Sequence, residues 1–550
     1  TSQRTFCNPL NLNYRFGVEA PSRREAADPT VILFQDNFFL FASKSGGYWY
    51  SPDLLDWQFV ETNELPTEEY APTVVAINDT LFFLASSNDK STVYKTTDPL
   101  SGHWQVAVAA LEFPVWDPAF FLDDDSRLYL YWGCSNQNPI YGVEVDYKNN
   151  FRFIGERKEL LKASPSKYGW EVPGDENTKT DTPPWIEGAW MSKYQGKYYL
   201  QYSGPGTEFK SYADAAYVST HPLGPYTLAP HNPFSSKPEG FANGAGHGST
   251  FRDKYGNYWH IATVTISVKH IFERRLALFP TFYDQDDILH TSTRFGDYPL
   301  ILPDKKIESD LDLLPGWMLL SYRKNVEVSS AIDSLPPVNL VDENIRTYWS
   351  AQSGSKHEFA LVDLEKQYDV YALQVNFADQ GTQLFGRQQN KVHQYVIEAS
   401  SDKKNWWVLV DKSANQNDQA HDYTDLKKKV TCRYIRIRNI AVPDGYFALS
   451  DFRIFGKGNE ILPAAPENFQ AQRNQQDRRS VRLSWQPVKN ATGYLISYGP
   501  EQHKLYHHHH VYDTTAVLIN SLNTEHAYYF SINAFNENGL SAEPTINAIR

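Results

Sequence analysis

Cysteine is scarce: Cys7, Cys134 and Cys432 are the only three in 550 residues. They make no disulfide framework and no close-spaced metal motif, and they leave the redox compartment open. No run approaches the ~20 apolar residues of a membrane-spanning helix. No long basic run exists and the formal net charge is −13, so nucleic acid is not an expected partner. The first residues, Thr1-Ser2-Gln3-Arg4, carry no apolar signal segment. With a C-terminal half that reads as suited to extracellular polymers, the expectation is a secreted, periplasmic or cell-surface bacterial protein, a monomer, numbered after signal-peptide removal.

What is plentiful is aromatic residues, 15 % of the chain. Clusters of Asn, Asp, Gly, Pro and Ser interrupt short apolar stretches throughout, which predicts many short strands joined by turns. A chain of this length exceeds one hydrophobic core and predicts two to four domains. One hairpin recurs: ADPTVILFQDNFFLFAS from 27, APTVVAINDTLFFLAS from 71, DPAFFLDDDSRLYLYWG from 117, EGAWMSKYQGKYYLQYSG from 187 and HGSTFRDKYGNYWHIAT from 247. Each copy has a head residue, an apolar strand, a polar turn and a Tyr/Phe-rich strand, at intervals of roughly 45–70 residues. Further echoes, YSPDLLDW, KTTDPLSGHW and VSTHPLGPY, extend each unit to about four strands. Five such units predict an all-β, five-bladed β-propeller.

In a propeller the innermost strands run along a common axis, so the five head positions, Asp28, Ala71, Asp117, Glu187 and His247, are expected to converge. Three carboxylates and a histidine at one end of a channel repel one another unless they have chemistry to do. Glycosidic cleavage needs one protonated and one ionised carboxyl group, and a third to tune them. To act as the acid near neutral pH, Glu187 needs a raised pKa, expected from desolvation among Trp185, Trp190 and the insertion before blade 4, and from an ionised Asp117.

Residues 12–305 resemble glycoside hydrolase family 43 through Ala27-Asp28-Pro29, Trp116-Asp117-Pro118, Ile186-Glu187-Gly188 and Gly246-His247-Gly248. That resemblance implies an inverting five-bladed enzyme with Asp28 as general base, Glu187 as general acid and Asp117 as the residue that modulates and orients the acid. It implies an axial His247, indirectly linked to a structural Ca2+ or other ion near the axis, with no cofactor required. It also implies an active-site arginine in FERRLALFP; Arg274 is expected there, with Arg275 facing the other way. Inversion predicts carboxyl groups roughly 6.5–9.5 Å apart. The fructan-cleaving propellers differ at all three carboxylate motifs. Trp116, Trp185, Trp190 and Tyr202 are candidate sugar platforms, with core packing the competing reading for each.

The insertion SPSKYGWEVPGDENTKTDTPPW (164–185) is expected to wall in the axis and favour exo action on a terminal sugar. The segments 201–219 and 240–260 look like a Bacteroidetes-type branch of the family associated with debranching of pectin or arabinogalactan. The substrate expected is a plant polysaccharide or oligosaccharide carrying terminal α-L-arabinofuranose. β-Xylosidase and exo-β-galactosidase are the alternatives within the family, and a non-catalytic sugar-binding propeller is the alternative outside it.

The catalytic domain is expected over 1–305, followed by a linker over 306–325. Residues 318–457 resemble a discoidin (F5/8 type C) sandwich, read either as a sugar-binding module or as a brace. Residues 462–550 resemble a fibronectin type III sandwich, whose usual role is spacing. His507–His510 is expected in a solvated loop or strand edge rather than a metal site. Every candidate acid and base lies before residue 280, so a chain ending near 305 is expected to keep activity if it folds.

Overall fold

The structure is a computed structural model that describes residues 3–542 and 547–549. Thr1, Ser2 and the last part of the third domain lie outside them. Five four-stranded antiparallel sheets follow in sequence order, each a simple meander, and together they are the blades of the propeller. Their innermost strands are Ala27–Phe34, Thr73–Ile77, Ala119–Leu122, Glu187–Tyr194 and Gly246–Arg252. The ring is tied by Arg4–Phe6, which pairs with Leu300–Leu302. Thr5 on that tie reaches Tyr423 and Asp425 of the second domain, both at 2.7 Å.

The heads of the blades share one backbone conformation. Asp28, Ala71, Asp117, Gly188 and His247 all have left-handed φ, between 40° and 62°. For residues other than glycine this region is uncommon and strained, and such strain gathers at functional sites. The repeat comparison put Glu187 at the fourth head; the structure puts Gly188 there and Glu187 one residue earlier. Strand pairing agrees, because Glu187 faces Ser203 as Ala27 faces Ser43 and Gly246 faces Thr263. In register Glu187 therefore matches Tyr70 and Trp116, not Asp28 and Asp117.

In four of the five blades a hydroxyl at or just past the end of the second strand latches the blade to the next. Thr263 Oγ1 accepts the Asp28 N–H at 3.0 Å, Ser43 that of Ala71 at 2.8 Å, Ser86 that of Asp117 at 2.8 Å and Ser203 that of His247 at 3.0 Å. Blade 3 carries Gly133 where the hydroxyl would stand. The Gly188 N–H donates instead to Asp117 Oδ2 at 3.2 Å, so the missing latch is replaced by a catalytic candidate.

The second domain is one eight-stranded sandwich around Trp349, Val362, Ile435 and Phe452. The third packs a sheet containing Val481–Ser484 against one containing Gly493–Gly499 and Tyr528–Asn536. The segment expected as a linker is not a loose tether. Its Leu313 is fully buried in the propeller core, and Met318–Leu319 already pairs within the second domain.

Both sandwiches dock on the propeller. Arg24, fully buried, donates to Asp379 at 2.6 Å and to Asp418 at 2.8 and 2.9 Å. Arg275 Nε donates to His421 Nε2 at 3.0 Å, and Arg453 donates to the Asp297 carbonyl at 2.6 Å. A chain ending near 305 would leave Arg24 and Arg275 without these partners, which bears on the condition that such a chain folds. The third domain grips the blade-4 insertion: Gly169 N–H donates to Leu522 O at 2.9 Å, Arg479 to Pro165 O at 2.8 Å and Asn520 to Glu176 O at 2.9 Å. The contact is tight, since a Cβ on Gly169 would stand 2.1 Å from Asn520 O.

His507–Val511 is a sheet edge, as expected, but its histidines are buried rather than solvated. They lie between their own sandwich and the propeller. His507 stacks on Tyr498, His508 Nδ1 meets Ser497 Oγ at 2.9 Å, and His510 Nε2 donates to the Arg294 carbonyl.

Candidate active site

At the axis His247 Nδ1 lies 3.0 Å from Asp28 Oδ1 and 3.7 Å from Asp117 Oδ2. Arg274 NH1 lies 3.5 Å from Asp28 Oδ1 on the other side. Burial alone would raise the Asp28 carboxyl, but the His247 and Arg274 cations hold it well below the usual carboxylate range. Ser43 also donates to its Oδ2 at 2.6 Å. Burial opposes a charged His247, yet Asp28 and Asp117 push it up to about 10. Asp117 behaves differently. Burial raises its carboxyl, His247 pulls it back, and Glu187 and Asp28 push it up again, leaving it above the ordinary range. The expected ionised Asp117 beside Glu187 is therefore replaced by an Asp117 that itself tends to hold a proton.

The offset of Glu187 has a chemical consequence. Asp28 and Asp117, at true head positions, are each 4 % exposed, whereas Glu187 reaches in from the rim and stays partly open. Its two oxygens are held by residues the repeat did not reveal: Tyr212 donates to Oε1 at 2.9 Å and Cys134 to Oε2 at 3.3 Å. The Cys134 thiol is pushed far up by burial and by Asp117 and Glu187, so it is a neutral donor. His247 is held from behind by the buried set Ser203, Asp214 and His260, with Asp214 accepting from Ser203 at 2.6 Å and His260 Nε2 2.7 Å away.

Arg274 turns inward as expected. NH2 donates to Glu25 at 2.7 Å and NH1 to Thr207 at 3.1 Å, while Arg275 points at the second domain. Glu25 and Thr207 gave no sequence signal, because both lie outside the repeated hairpins.

The aromatic candidates divide. Tyr202 is 1 % exposed, with its hydroxyl donating to Glu171 at 2.5 Å; it is a core residue and not a sugar platform. Trp190 is wedged between blades 4 and 5, its indole N–H donating to Thr250 O at 3.2 Å, and likewise serves packing. Trp116 stacks on Tyr70 with ring centres 6.4 Å apart, and Tyr70 meets Phe272 edge-on at 5.6 Å. Trp116 and Tyr70 share the rim register with Glu187. Trp185, at the end of the insertion, is 45 % exposed.

Among the described residues, the trio close enough to share an ion is Asp117, Cys134 and Glu187, with donor atoms within 4.8 Å of one another. A thiol in the set does not match the all-oxygen site that calcium takes. The His247 Nδ1 already faces two carboxylates.

Three family models match in order: glycosyl hydrolases family 43 over residues 22–289, an F5/8 type C domain over 325–450 and a fibronectin type III domain over 464–548. A β-xylosidase of Xylanibacter ruminicola is 28 % identical over 151 residues, covering 24 % of this chain and 41 % of that protein. An arabinoxylan arabinofuranohydrolase of Paenibacillus polymyxa is 29 % identical over 176 residues, covering 30 % of this chain and 25 % of the relative. The matched part thus spans less than half the length of either curated relative. A solved glycoside hydrolase aligns over 78 % of this chain and 97 % of its own at 18 % identity, with a TM-score of 0.46. The chain thus carries a glycosyl hydrolases family 43 domain, an F5/8 type C domain and a fibronectin type III domain, in that order.

Proposed function

We propose that this protein is an inverting, exo-acting glycosidase that removes a terminal pentose from plant polysaccharide, with α-L-arabinofuranose on pectic or arabinogalactan side chains as the favoured sugar. The observation that carries this reading is the opposite electrostatic setting of the buried carboxyls around one cationic histidine. Asp28, beside His247 and Arg274, is kept ionised and suits a general base that takes a proton from water. Glu187, partly open at the rim, suits the general acid that meets a leaving group. Asp117, joined to the Gly188 N–H, orients the backbone beside that acid. The names of the two curated relatives, a β-xylosidase and an arabinoxylan arabinofuranohydrolase, support a pentose. They keep β-xyloside as the second reading. The insertion ending in exposed Trp185 supports a walled site and a terminal sugar. We place the protein outside the cytoplasm, acting as a monomer.

Activity on aryl α-L-arabinofuranoside, β-xyloside and β-galactoside tests the sugar, and NMR of the first-formed anomer tests inversion. The arabinofuranoside is expected to turn over fastest, with inverted product. Faster xyloside turnover shifts the assignment to the second reading, a retained anomer ends the base role of Asp28, and no hydrolysis of any substrate ends the enzyme reading. Glu187→Gln is expected to lose about 10²–10⁴-fold on natural oligosaccharide and far less on a nitrophenyl glycoside, whose leaving group needs no proton. Asp28→Asn is expected to lose both.

A further inference from the structure

The loop 204–212 runs along the mouth of the centre and touches each part of it. Thr207 accepts from Arg274 at 3.1 Å, Tyr212 donates to Glu187 at 2.9 Å, and the Pro205 carbonyl accepts the Trp185 N–H at 3.0 Å. The position of one short loop therefore sets the acid, the arginine that keeps Asp28 ionised, and the exposed tryptophan.

That loop is not fixed by the propeller alone. Asp175, in the blade-4 insertion, accepts the Lys210 N–H on Oδ1 at 2.8 Å. Its other oxygen takes NH1 of Arg346 at 2.8 Å, and NH2 of the same guanidinium donates to the Glu208 carbonyl at 2.9 Å. Arg346 belongs to the discoidin-like sandwich. Its planar fork spans the insertion and the loop at once, which a lysine's point charge cannot reproduce. The fork is itself anchored. Arg346 N–H donates to Asn344 Oδ1 at 3.0 Å, the preceding Ile345 N–H donates to Phe241 O at 3.1 Å, and the Ile345 side chain is buried in the propeller among Phe241, Ala242 and Ala245.

Resting on the glycosidase reading above, we propose that Arg346 is a positioning residue for Glu187 and Arg274, so that the discoidin-like sandwich is a working part of the active centre. It acts through Asp175 and the loop 204–212 and touches no substrate. Small displacements of catalytic groups are costly, since about 1 Å of misplacement is enough for a loss near 10²-fold.

The test uses the full chain. Arg346→Met is expected to lower kcat about tenfold on glycosides with poor leaving groups and less on nitrophenyl glycosides, with KM changed about twofold at most. Arg346→Lys is expected to restore little. Asp175→Asn is expected to give a similar loss, and the double variant no more than either alone, because both act through one contact. A readout independent of turnover is hydrogen exchange of the loop 204–212, whose Lys210 N–H is held on Asp175. Arg346→Met is expected to speed exchange at 207–212 at least about threefold while the strand Lys197–Gly204 stays protected. Unchanged kcat with unchanged exchange overturns the proposal. So does a kcat loss equal across leaving groups that follows loss of folded protein in a melting curve. If Glu187→Gln lacks leaving-group dependence while exchange still responds to Arg346→Met, the acid assignment falls and the positioning contact stands.

Discussion

At the discoidin-like contact the propeller commits Arg24 and Arg275 and receives Arg453, each buried and each bonded across the boundary. At the fibronectin-like contact the main groups are rings. His290 stacks on Tyr506 with centres 3.6 Å apart, Phe295 meets Phe535 and His510, and Tyr298 bonds to Tyr512 at 3.1 Å. Two sandwiches of the same general architecture are thus held by different means, mainly buried guanidinium groups in one case and mainly aromatic and imidazole packing in the other, with Lys504 beside the rings paired to Asp284 at 3.1 Å. Charge pairing cannot be undone from one side without stranding a buried ion, whereas ring packing gives way by degrees. The first contact resembles the inside of a single domain, the second a docked neighbour.

The largest expected effect breaks the first contact. A chain ending near 305 should be insoluble or unfolded, while one ending near 460 should fold with a lowered melting temperature; size-exclusion chromatography and circular dichroism distinguish them. Within the full chain, Arg24→Ala should cost about 3–5 kcal/mol in urea unfolding, because Asp379 is left buried with only His393 Nε2, 3.3 Å away, to face it. A soluble, cooperative 1–305 fragment would show that the charged contact is dispensable.

Acid sharpens the comparison. Burial holds His507 down to about 3 and His290 and His510 to about 4, and lowers His231, His508 and His509 as well. Around them stand Glu501, Lys504 and Asp284 on one side, and Arg294, Asp310, Lys237, Asp297, Lys210 and Glu239 on the other. Between about pH 6.5 and 4 the unfolded or undocked chain binds protons that the docked one does not, so stability rises with pH across that window and is lost on acidification. The discoidin-like contact has one such group, His421, and its Asp379 stays ionised well below the normal range. Hydrogen exchange at pH 7 and pH 5 should therefore show protection falling at 165–176 and 505–511 before it falls at 376–379. Equal loss at both contacts would remove the distinction.

The smallest expected effect on stability lies outside both contacts. Trp185→Ala, at a largely exposed site, should change unfolding free energy by no more than about 0.5 kcal/mol. It should raise KM for an oligosaccharide while leaving an aryl glycoside nearly unaffected. A stability loss above 2 kcal/mol would mean that the insertion is itself part of the core.

The blades were legible because alternating apolar residues, a polar turn and aromatic strands recur with a visible period. Asp28, Asp117 and His247 were legible for the same reason, and the structure brings them together with Arg274. The true register of Glu187 was hidden because the fourth head is Gly188, which has no side chain to announce it; its left-handed φ, shared with the other heads, and the strand pairing of Glu187 reveal the equivalence. Tyr202 stays open between sugar platform and core in the sequence because an aromatic on a strand next to a site looks the same facing either. The burial of the histidine edge strand is not legible because nothing local tells an edge strand that a second domain will cover it. Tyr212, Cys134, Glu25 and Arg346 act through contacts between segments far apart in sequence, and no pattern within a window of residues carries that information.

The tie that closes the propeller also has a position in time. Arg4–Phe6 is synthesised before every blade, yet its partner Leu300–Leu302 follows about 300 residues later, roughly 15–60 s at ordinary rates of synthesis. Tyr423 and Asp425, which receive Thr5, come later still. For that interval the first strand has a free edge and no neighbour, and the ring around Asp28 stays open at its seam. The catalytic centre, although all its acids and bases are encoded in the first half of the chain, is completed only as the second half emerges.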